Sequence, residues 1–413
     1  MTALTRRSFL RAAGLGGLAL PGWFPRLAFS ATPSPKRDVL VAVFLRGAAD
    51  GLNIVVPFGD RDYYANRPTL GIGEPSATAG TAIDLDGFFG LHPALAPLAE
   101  LFDDKALAVV HAAGSPDDTH SHFTAMDFME RGTPGSKSLT TGWIGRHLAS
   151  LDTGNESPFR AVGIGHGVPA SLRGPVPAAA LKSIADFHLK GLRSAAELSS
   201  FQAGLSNLYP GGDFLDSQAR QTFDAVALLA TANPGAYQPQ NGAQYPDSDF
   251  GQALQQVAQL LRADLGLEVA CVDVGGWDTH AAEEGTLAGL LADLGAGLHA
   301  FYADLADRMA HITVVTLSEF GRRVKENASG GTDHGHGNCM FLLGGGVAGG
   351  KVYGTWPGLA AGQLYGPGDL AVTTDFRTVL SEIVDHRLGN SKIAEVFPGF
   401  ERPAYLGLAR QSV

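Results

Sequence analysis

Carboxylate and imidazole side chains are concentrated in one stretch of the chain, residues 311–346. An apolar, β-branched run, Ile312 to Leu317, predicts a buried strand, and Glu319 follows where the chain turns polar. After a glycine-rich loop the sequence presents three further candidate ligands within four positions: Asp333, His334 and His336. Oxygen and imidazole ligands at the end of a buried strand suit a divalent metal ion, because they supply lone pairs and negative charge. The stretch therefore predicts a metal site.

Two other stretches place similar side chains after predicted strands. Asp278 and His280 follow the apolar run 268–274 and a pair of glycines. Asp278 either caps the helix predicted from about residue 281 or forms a ligand pair with His280, and the double glycine favours the pair. Asp50 lies in a glycine-flanked loop after the apolar run 39–45, where it is either a turn residue or a metal ligand.

A candidate nucleophile lies between residues 114 and 123, in a loop that leads into a predicted helix. Ser121 or Thr119 either caps that helix or acts as a nucleophile at its N-terminus. There the helix dipole and free N–H groups would stabilise an alkoxide and hold an anionic substrate. His122 completes the candidate catalytic group, and three histidines in this region (His111, His120 and His122) make a simple cap a less complete explanation.

The elements that must position these residues are buried strands alternating with helices. Continuous apolar runs such as 39–45 and 312–317 are typical of strands covered on both faces. The pattern predicts an α/β fold with a mainly parallel sheet and helices on both faces. The candidate residues then lie at the carboxyl edge, where open α/β sheets carry their sites. Converging carboxylates and imidazoles need a cation, so we expect one or two divalent metals, zinc first, with manganese, calcium or iron as alternatives.

Charge and the N-terminus indicate where the protein acts. The net charge of −11 over 413 residues argues against nucleic acid as a partner. The segment Thr5 to Arg11 resembles a twin-arginine export signal, and the apolar run after it is too short to span a membrane. We therefore predict a signal peptide over 1–30, the twin-arginine translocase as a partner, and a periplasmic or extracellular protein that is not integral to the membrane.

The remaining chain, 31–413, is predicted to form one domain with an insertion or cap over 166–247. Helical pieces and proline- and glycine-rich joints alternate in this insertion, which carries no recognisable motif. The chain has two cysteines, Cys271 and Cys339, which either pair or remain buried thiols in predicted strands.

Several segments together resemble the bacterial domain of unknown function 1501 family. They are RGAADGLN, THSHF, GGWDTH, SEFGR, TDHGHG, TTDFR and VFPGF, with the twin-arginine leader. The resemblance implies an alkaline phosphatase- or sulfatase-like fold, in a superfamily of metal-dependent enzymes acting on phosphate and sulfate esters. It implies that Asp50 is a metal ligand and Ser121 the nucleophile, with Thr119 second. The superfamily's Asp-His-Gly signature directly follows a strand, whereas here either Glu319 takes that position or the cluster at Asp333 loops back.

The sequence supports three hypotheses of function. The first is a two-metal hydrolase of small anionic phosphate or sulfate esters, with Arg322 or Arg146 binding the anion. One metal would be held by Asp50 with Asp333 and His334 or Glu319, and the other by Asp278, His280 and His336. The second is a non-catalytic, metal-containing binding or assembly protein of the cell envelope. The third is a metal enzyme that uses water directly, with Ser121 only a helix cap.

Overall fold

A computed structural model describes residues 37–165, 167–184 and 236–412, together with a few single positions between 185 and 235. The predicted signal peptide and the central part of the predicted insertion lie outside the described residues. Among the residues that the structure describes, no helix combines the length and apolar character needed to cross a membrane.

Strands and helices alternate along most of the described chain. The strands are β1 Val39–Leu45, β2 Val55–Val56, β3 Ile83–Asp84, β4 Gly90–Leu91, β5 Leu107–Gly114, β6 Ala161–Ile164, β7 Ala179–Leu181, β8 Val269–Val274, β9 Ile312–Leu317, β10 Arg322–Glu326, β11 Thr332–His334, β12 Asn338–Leu343, β13 Lys351–Tyr353 and β14 Thr374–Asp375. The α-helices are α1 Gly51–Ile54, α2 Arg61–Asn66, α3 Ala96–Asp103, α4 His122–Arg131, α5 Trp143–Ser150, α6 Asp249–Arg262, α7 Glu283–Asp304, α8 Phe376–Glu382 and α9 Ile393–Val396.

Nine strands form the central sheet, in the order β13-β5-β12-β9-β1-β8-β6-β7, with β14 beside β5. β1 lies at the centre and pairs in parallel with β8 and β9 on its two sides. β12 alone among the described strands of this sheet runs antiparallel, between β9 and β5. The predicted α/β fold with a mainly parallel sheet is therefore confirmed.

Both faces of the sheet are buried under helices, as the alternation of side chains along β1 shows. Val41 and Val43 face one apolar core with residues of α3, α6 and α7, whereas Leu40 and Phe44 face another with residues of α5 and α8. Each fully buried aliphatic side chain stabilises the fold by roughly 1.5–3 kcal/mol relative to an exposed one. The continuous apolar run of β1 follows from this two-sided burial.

The structure differs from the sequence-based elements in two places. The apolar run Leu107 to Val110 predicts a short strand, whereas the observed strand β5 continues four residues further, to Gly114. Residues 54–92, which look irregular in the sequence, contain α2 and a small sheet in the order β2-β4-β3. Strands of two residues are too short to produce an alternating pattern, so periodicity does not reveal them.

The two cysteines are buried thiols that do not pair. Cys271 on β8 and Cys339 on β12 belong to the two opposite cores. Two strands lie between β8 and β12, which separates the residues by about 14 Å at the usual spacing of strands. A disulfide needs its Cα atoms within about 7 Å of each other, so the fold excludes the pair.

Candidate metal centre

The candidate site lies where the central strands end. β1, β8 and β9 are parallel neighbours, so the loops that follow them start from the same edge of the sheet. These loops carry Asp50, Asp278 and Glu319. β5 points the same way, because β12 runs antiparallel both to it and to β9. The loop after β5 therefore brings His122, at the start of α4, to this edge as well.

A hairpin returns the later His-rich segment to the same edge. After β9 the chain forms β10 and β11, an antiparallel pair in which His334 lies opposite Arg322. In the sequence, either Glu319 or the later cluster at Asp333 can occupy the position after β9. The structure shows that the later cluster loops back to this edge. The glycine-rich turn between the two strands has Gly330 at a φ of +67°. A residue with a side chain is strained at such an angle, so glycine favours the turn.

Three side chains from distant parts of the chain converge at the centre of this edge. His122, Asp278 and His334 each offer one ligand atom, and these atoms lie within 4.8 Å of one another. The Nε2 atoms of His122 and His334 are 2.9 Å apart. Asp278 Oδ1 is 3.4 Å from His334 Nε2, and its Oδ2 is 3.6 Å from His122 Nε2.

The other nitrogen of each ring determines which atoms face the centre. His334 Nδ1 lies 2.9 Å from the carbonyl oxygen of His120, which only accepts hydrogen bonds, so this nitrogen carries the proton. His122 Nδ1 donates to Glu319 Oε1 at 2.8 Å. In the neutral rings both Nε2 atoms therefore hold lone pairs, and these face each other. Facing lone pairs repel unless a cation or a proton lies between them, so the arrangement fits a metal ion.

His280 extends the cluster on its solvent side. Its Nε2 lies 2.9 Å from His334 Nε2 and 3.2 Å from Asp278 Oδ1. Its Nδ1 lies 3.4 Å from Asp333 Oδ1, which orients the ring toward the centre. His122, Asp278 and His334 thus form the converging group, with His280 beside two of its members, and imidazole and carboxylate donors suit zinc as well as manganese or iron.

Electrostatics favour the ligand form of the central residues. Burial and the neighbouring His122 lower the pKa of His334, so its imidazole stays neutral and can donate a lone pair. Burial of Asp278 opposes its ionisation, but the hydrogen bond and positive charge of Arg322 outweigh that effect and lower its pKa. Asp278 is therefore an anionic carboxylate near neutral pH.

Arg322 holds the site together instead of binding an anion. The buried guanidinium donates to Asp278 Oδ1 at 2.6 Å and to four backbone carbonyls from two loops and strand β11: those of Gly47, Ala48, Trp277 and Thr332. With its donors used in this way, Arg322 does not fit the predicted role of clamping a substrate. Arg146 does not fit it either, because its guanidinium donates to the carbonyls of Thr141, Arg131 and Val396.

Asp50 does not join the cluster. It is buried and forms a two-armed ion pair with Arg67, whose Nη2 lies 2.8 Å from Asp50 Oδ1. Glu283 is a further hydrogen-bonding neighbour of Asp50 and accepts a hydrogen bond from Thr332 Oγ1 at 2.6 Å. The guanidinium of Arg67 balances the charge of the Asp50 carboxylate. Asp50 therefore lies outside the metal centre in which the sequence predicts it.

The remaining predicted ligands take other positions. Glu319 is buried behind His122 and also accepts a hydrogen bond from the backbone N–H of Gly47 at 2.8 Å. Asp333 lies behind His280 and accepts a hydrogen bond from Asn327. The ring of His336 stacks on Tyr365, with 4.7 Å between the centroids, outside the cluster. Among the described residues, the predicted ligands Asp278 and His334 share one centre with His122, and His280 lies beside it, unlike the two metal sets formulated from the sequence.

The candidate nucleophiles lie at the start of α4. Ser121 is exposed, occupies the N-cap position, and makes no capping hydrogen bond with its side chain. Thr119 Oγ1 accepts a hydrogen bond from the Ser121 N–H at 3.3 Å. His111, by contrast, is buried inside β5 against the carbonyl of Val55, and burial lowers its pKa to about 4.

A second pair of residues, to which the sequence pattern assigns no joint role, lies beside the site. His120 Nε2 lies 3.2 Å from Oδ2 of the buried Asp369. Asp369 follows a Gly-Pro-Gly segment and reads as a simple turn residue. The sequence indicates His120 only as one of three histidines within residues 111–122. It does not indicate which of the three faces the site.

The fold and the cluster define an α/β protein with a His- and Asp-rich candidate metal centre at the carboxyl edge of its sheet. The chain belongs to the family described as "Protein of unknown function (DUF1501)", whose sequence profile matches residues 37–383. No curated protein matches the chain.

Several solved structures are similar to the chain at low sequence identity. The zinc complex of the C-terminal periplasmic domain of EptC from Escherichia coli has 11% identity and a TM-score of 0.34, over 78% of this chain and 77% of that one. The lipoteichoic acid synthase LtaP from Listeria monocytogenes has 10% identity and a TM-score of 0.33, over 75% and 66%. An alkaline phosphatase from the Antarctic bacterium TAB5 has 10% identity and a TM-score of 0.28, over 76% and 92%. These TM-scores are too low to transfer an activity or a site residue to this chain.

Proposed function

We propose that this chain is an exported, metal-dependent hydrolase of phosphate or sulfate esters that uses Ser121 as its nucleophile. The observation that carries the proposal is the approach of His122 Nε2 and His334 Nε2 to 2.9 Å, with both Nδ1 atoms committed to oxygen acceptors. Asp278 completes this group of ligand atoms, and His280 lies beside it. A divalent ion held there would supply the positive charge that stabilises an ionised nucleophile and the charge developing on an ester.

The position of Ser121 supports its role as the nucleophile. It immediately precedes His122, and its side chain makes no capping hydrogen bond. The first turn of α4 presents free backbone N–H groups, which stabilise negative charge at this end of the helix. Thr119 is the weaker candidate, because its oxygen already accepts a backbone hydrogen bond.

Arg323 would bind the anionic part of the ester. It follows Arg322 on β10, and its side chain is 32% exposed where that of Arg322 is buried. Asp333, next to His280, has a lowered pKa, mainly because Asn327 donates a hydrogen bond to it. The positive charge of Arg323 lowers this pKa further. A partly exposed guanidinium close enough to Asp333 to affect its pKa is suited to the oxygens of a phosphate or sulfate group.

Export remains part of the proposal because of residues 5–11. A folded protein carried by the twin-arginine translocase would meet small anionic esters outside the cytoplasm. Fusing residues 1–36 to a reporter protein and comparing it with an Arg6→Lys, Arg7→Lys variant of the same fusion tests the route. Equal export of both fusions would contradict it.

The test of the activity is elemental analysis of the purified protein, followed by assays with phosphate and sulfate monoesters. We expect bound metal, turnover that stops when the metal is removed, and recovery when it is restored. Asp278→Asn should abolish both metal binding and turnover. Asp273→Asn is the matched control, because Asp273 also pairs with an arginine and is similarly exposed, at 46% against 48% for Asp278.

Ser121→Ala separates the three hypotheses of function. Loss of turnover with unchanged metal content supports the serine nucleophile. Unchanged turnover that still requires metal would replace it by direct attack of water. Metal binding without turnover in the unaltered protein, across both ester classes, would favour the non-catalytic binding protein.

A further inference from the structure

Glu283 joins two of the chain segments that carry candidate ligands. It begins α7, and its carboxyl group is fully buried. Its Oε2 accepts hydrogen bonds from Thr279 Oγ1 at 3.1 Å and from Thr332 Oγ1 at 2.6 Å. Thr279 lies between the two candidate ligands of the loop after β8, and Thr332 lies two positions before the ligand His334. One carboxyl oxygen therefore connects that loop to β11.

The backbones of the two segments are also in direct contact. The N–H of Thr332 donates to the carbonyl oxygen of Thr279 at 3.1 Å, and the N–H of Glu283 donates to that of Gly330 at 2.8 Å. At Gly331 a Cβ atom would lie 2.4 Å from the Thr279 carbonyl oxygen, closer than a side chain can approach. Glycine at this position therefore allows the β10–β11 hairpin to lie against the loop.

The surroundings of Glu283 hold it in this position. Asp50 is a hydrogen-bonding neighbour of Glu283, and Arg67 holds Asp50 through its two-armed ion pair. A buried polar group loses stability when its hydrogen-bond partners move away, because no water replaces them. Glu283 therefore opposes any movement that separates Thr279 from Thr332.

The Glu283 link is the name used below for Thr279, Glu283, Gly331 and Thr332. We propose that this link sets the distance between Asp278 and His334, and thereby the affinity of the centre for a divalent ion. Asp278 Oδ1 and His334 Nε2 lie 3.4 Å apart. Glu283 offers no atom to the converging group of ligand atoms, so it is a positioning residue and not a ligand. The inference rests on the metal centre of the proposed function and does not require ester hydrolysis.

Glu382 provides a matched control, because it is a buried glutamate that joins two segments elsewhere. Its carboxylate is fully buried and accepts hydrogen bonds from the backbone N–H groups of Leu406 and Ala409, both at 2.9 Å. Ala409 bridges to Val347, which follows β12, and the antiparallel β12 ends at the amino edge of the sheet. Glu382 thus has the burial and the connecting role of Glu283 but lies at the edge opposite the metal centre.

The test measures zinc affinity by competition with an indicator dye, and the free energy of unfolding of the metal-free protein. Glu283→Ala should weaken zinc binding about 10- to 100-fold, as is common for residues that support metal ligands. Glu382→Ala should lose stability as well, but it should bind zinc as the unaltered protein does.

Variants of Glu283 that differ in length distinguish a positioning role from general packing. Glu283→Gln should keep the zinc affinity within about threefold, because the amide oxygen still accepts from both threonines and the amide N–H groups can donate to Asp50. Glu283→Asp should lose affinity as Glu283→Ala does, since the shorter side chain does not reach both hydroxyl groups.

Two neighbouring glycines separate the position of the hairpin from strain in its turn. Gly331→Ala places a methyl group against the loop after β8 and should weaken zinc binding about 10-fold. Gly330→Ala is the control, because its φ of +67° strains the same turn while its Cβ meets open space. Thr332→Val removes one hydroxyl group, keeps the shape of the side chain and should also weaken zinc binding. This variant keeps the inference testable if Glu283→Ala does not fold.

The outcomes separate this inference from the proposed function. Unchanged zinc affinity in Glu283→Ala, or equal affinity in Gly331→Ala and Gly330→Ala, would overturn the Glu283 link and leave the metal centre intact. Equal losses in Glu283→Ala and Glu382→Ala would overturn it too, because a general loss of stability would then explain both. Zinc binding by the unaltered protein without ester turnover would overturn the hydrolase alone. An unaltered protein that binds no divalent ion would overturn the metal centre and the link together.

Discussion

Glu319 and His122 lie 197 positions apart in the chain, yet Glu319 Oε1 accepts a hydrogen bond from His122 Nδ1 at 2.8 Å. The carboxylate is buried, and the backbone N–H of Gly47 donates to the same oxygen. The loops after β1 and β9 thus fix the orientation of a histidine on α4. A carboxylate in this position sets the tautomer of the ring and increases its basicity toward a metal.

The first prediction follows from that contact. Glu319→Gln should weaken metal binding by about 10- to 100-fold, because the neutral amide orients His122 without increasing its basicity. Competition with a metal indicator dye measures the affinity. Glu326→Gln, which changes a half-buried acceptor on β10 that contacts Thr69 and Leu70, should leave the affinity unchanged. If the two variants bind metal equally well, Glu319 does not support the ligand.

A second prediction separates His122 from His336. His122→Ala should lower the metal stoichiometry, because it removes one of the three converging ligand atoms. His336→Ala should retain the metal, since His336 stacks on Tyr365 outside the cluster. Elemental analysis after dialysis against metal-free buffer gives both results. Loss of metal only from His336→Ala would contradict the centre described here.

The third prediction concerns the buried pair of Asp50 and Arg67. Arg67→Met leaves the carboxylate of Asp50 buried without its partner, which should cost about 3–5 kcal/mol of stability. Urea unfolding followed by circular dichroism measures the change. Adding Asp50→Asn to Arg67→Met removes the unpaired charge and should recover part of the loss. A single variant as stable as the original protein would show that the pair contributes little.

The fourth prediction is a dependence of stability on pH through Glu283. Burial, together with the neighbouring Asp50, raises the pKa of Glu283 from 4.5 to about 8. Between these values the folded protein keeps a proton that the unfolded chain releases, so stability falls as the pH rises through this window. The stability that Glu283 contributes is fully present below pH 4.5 and is lost above about pH 8.

Metal-free protein isolates this effect from the pH dependence of metal binding. The free energy of unfolding should decrease between about pH 5 and pH 8, and Glu283→Gln should reduce the slope because glutamine does not titrate. Glu284→Gln changes the exposed neighbour on the same helix and should leave the slope as it was. Equal slopes in Glu283→Gln and the unaltered protein would exclude Glu283 as the source.

The fold can be predicted from the sequence more fully than the role of each residue at the site. Strands β1 and β9 were predicted with their observed bounds, because burial on both faces produces continuous apolar runs. The same logic placed Asp278 and Glu319 at one edge of the sheet. What a loop aspartate contacts depends on residues elsewhere in the chain. Nothing near Asp50 in the sequence indicates that Arg67 meets it in the folded protein.

The histidines illustrate the same limit. His334 and His336 have the same spacing as neighbours on one face of a strand, and the sequence treats them alike. Strand β11 pairs with β10 and ends at His334. His334 therefore joins the cluster, whereas His336 lies beyond the strand and stacks on Tyr365. Hairpin register after a glycine-rich loop depends on long-range contacts and does not follow from local patterns.

The spacing of the central ligands in the chain sets an order of events. His122 and His334 are 212 positions apart, and closing a loop of that length costs about 5 kcal/mol in chain entropy. This cost disfavours joint chelation by His122 and His334 in an unfolded chain, whereas the assembled sheet edge already holds the two side chains together. A metal ion at these residues would therefore bind most favourably once the sheet edge has formed, and for a protein exported after folding, the compartment in which it folds would determine which metal is available.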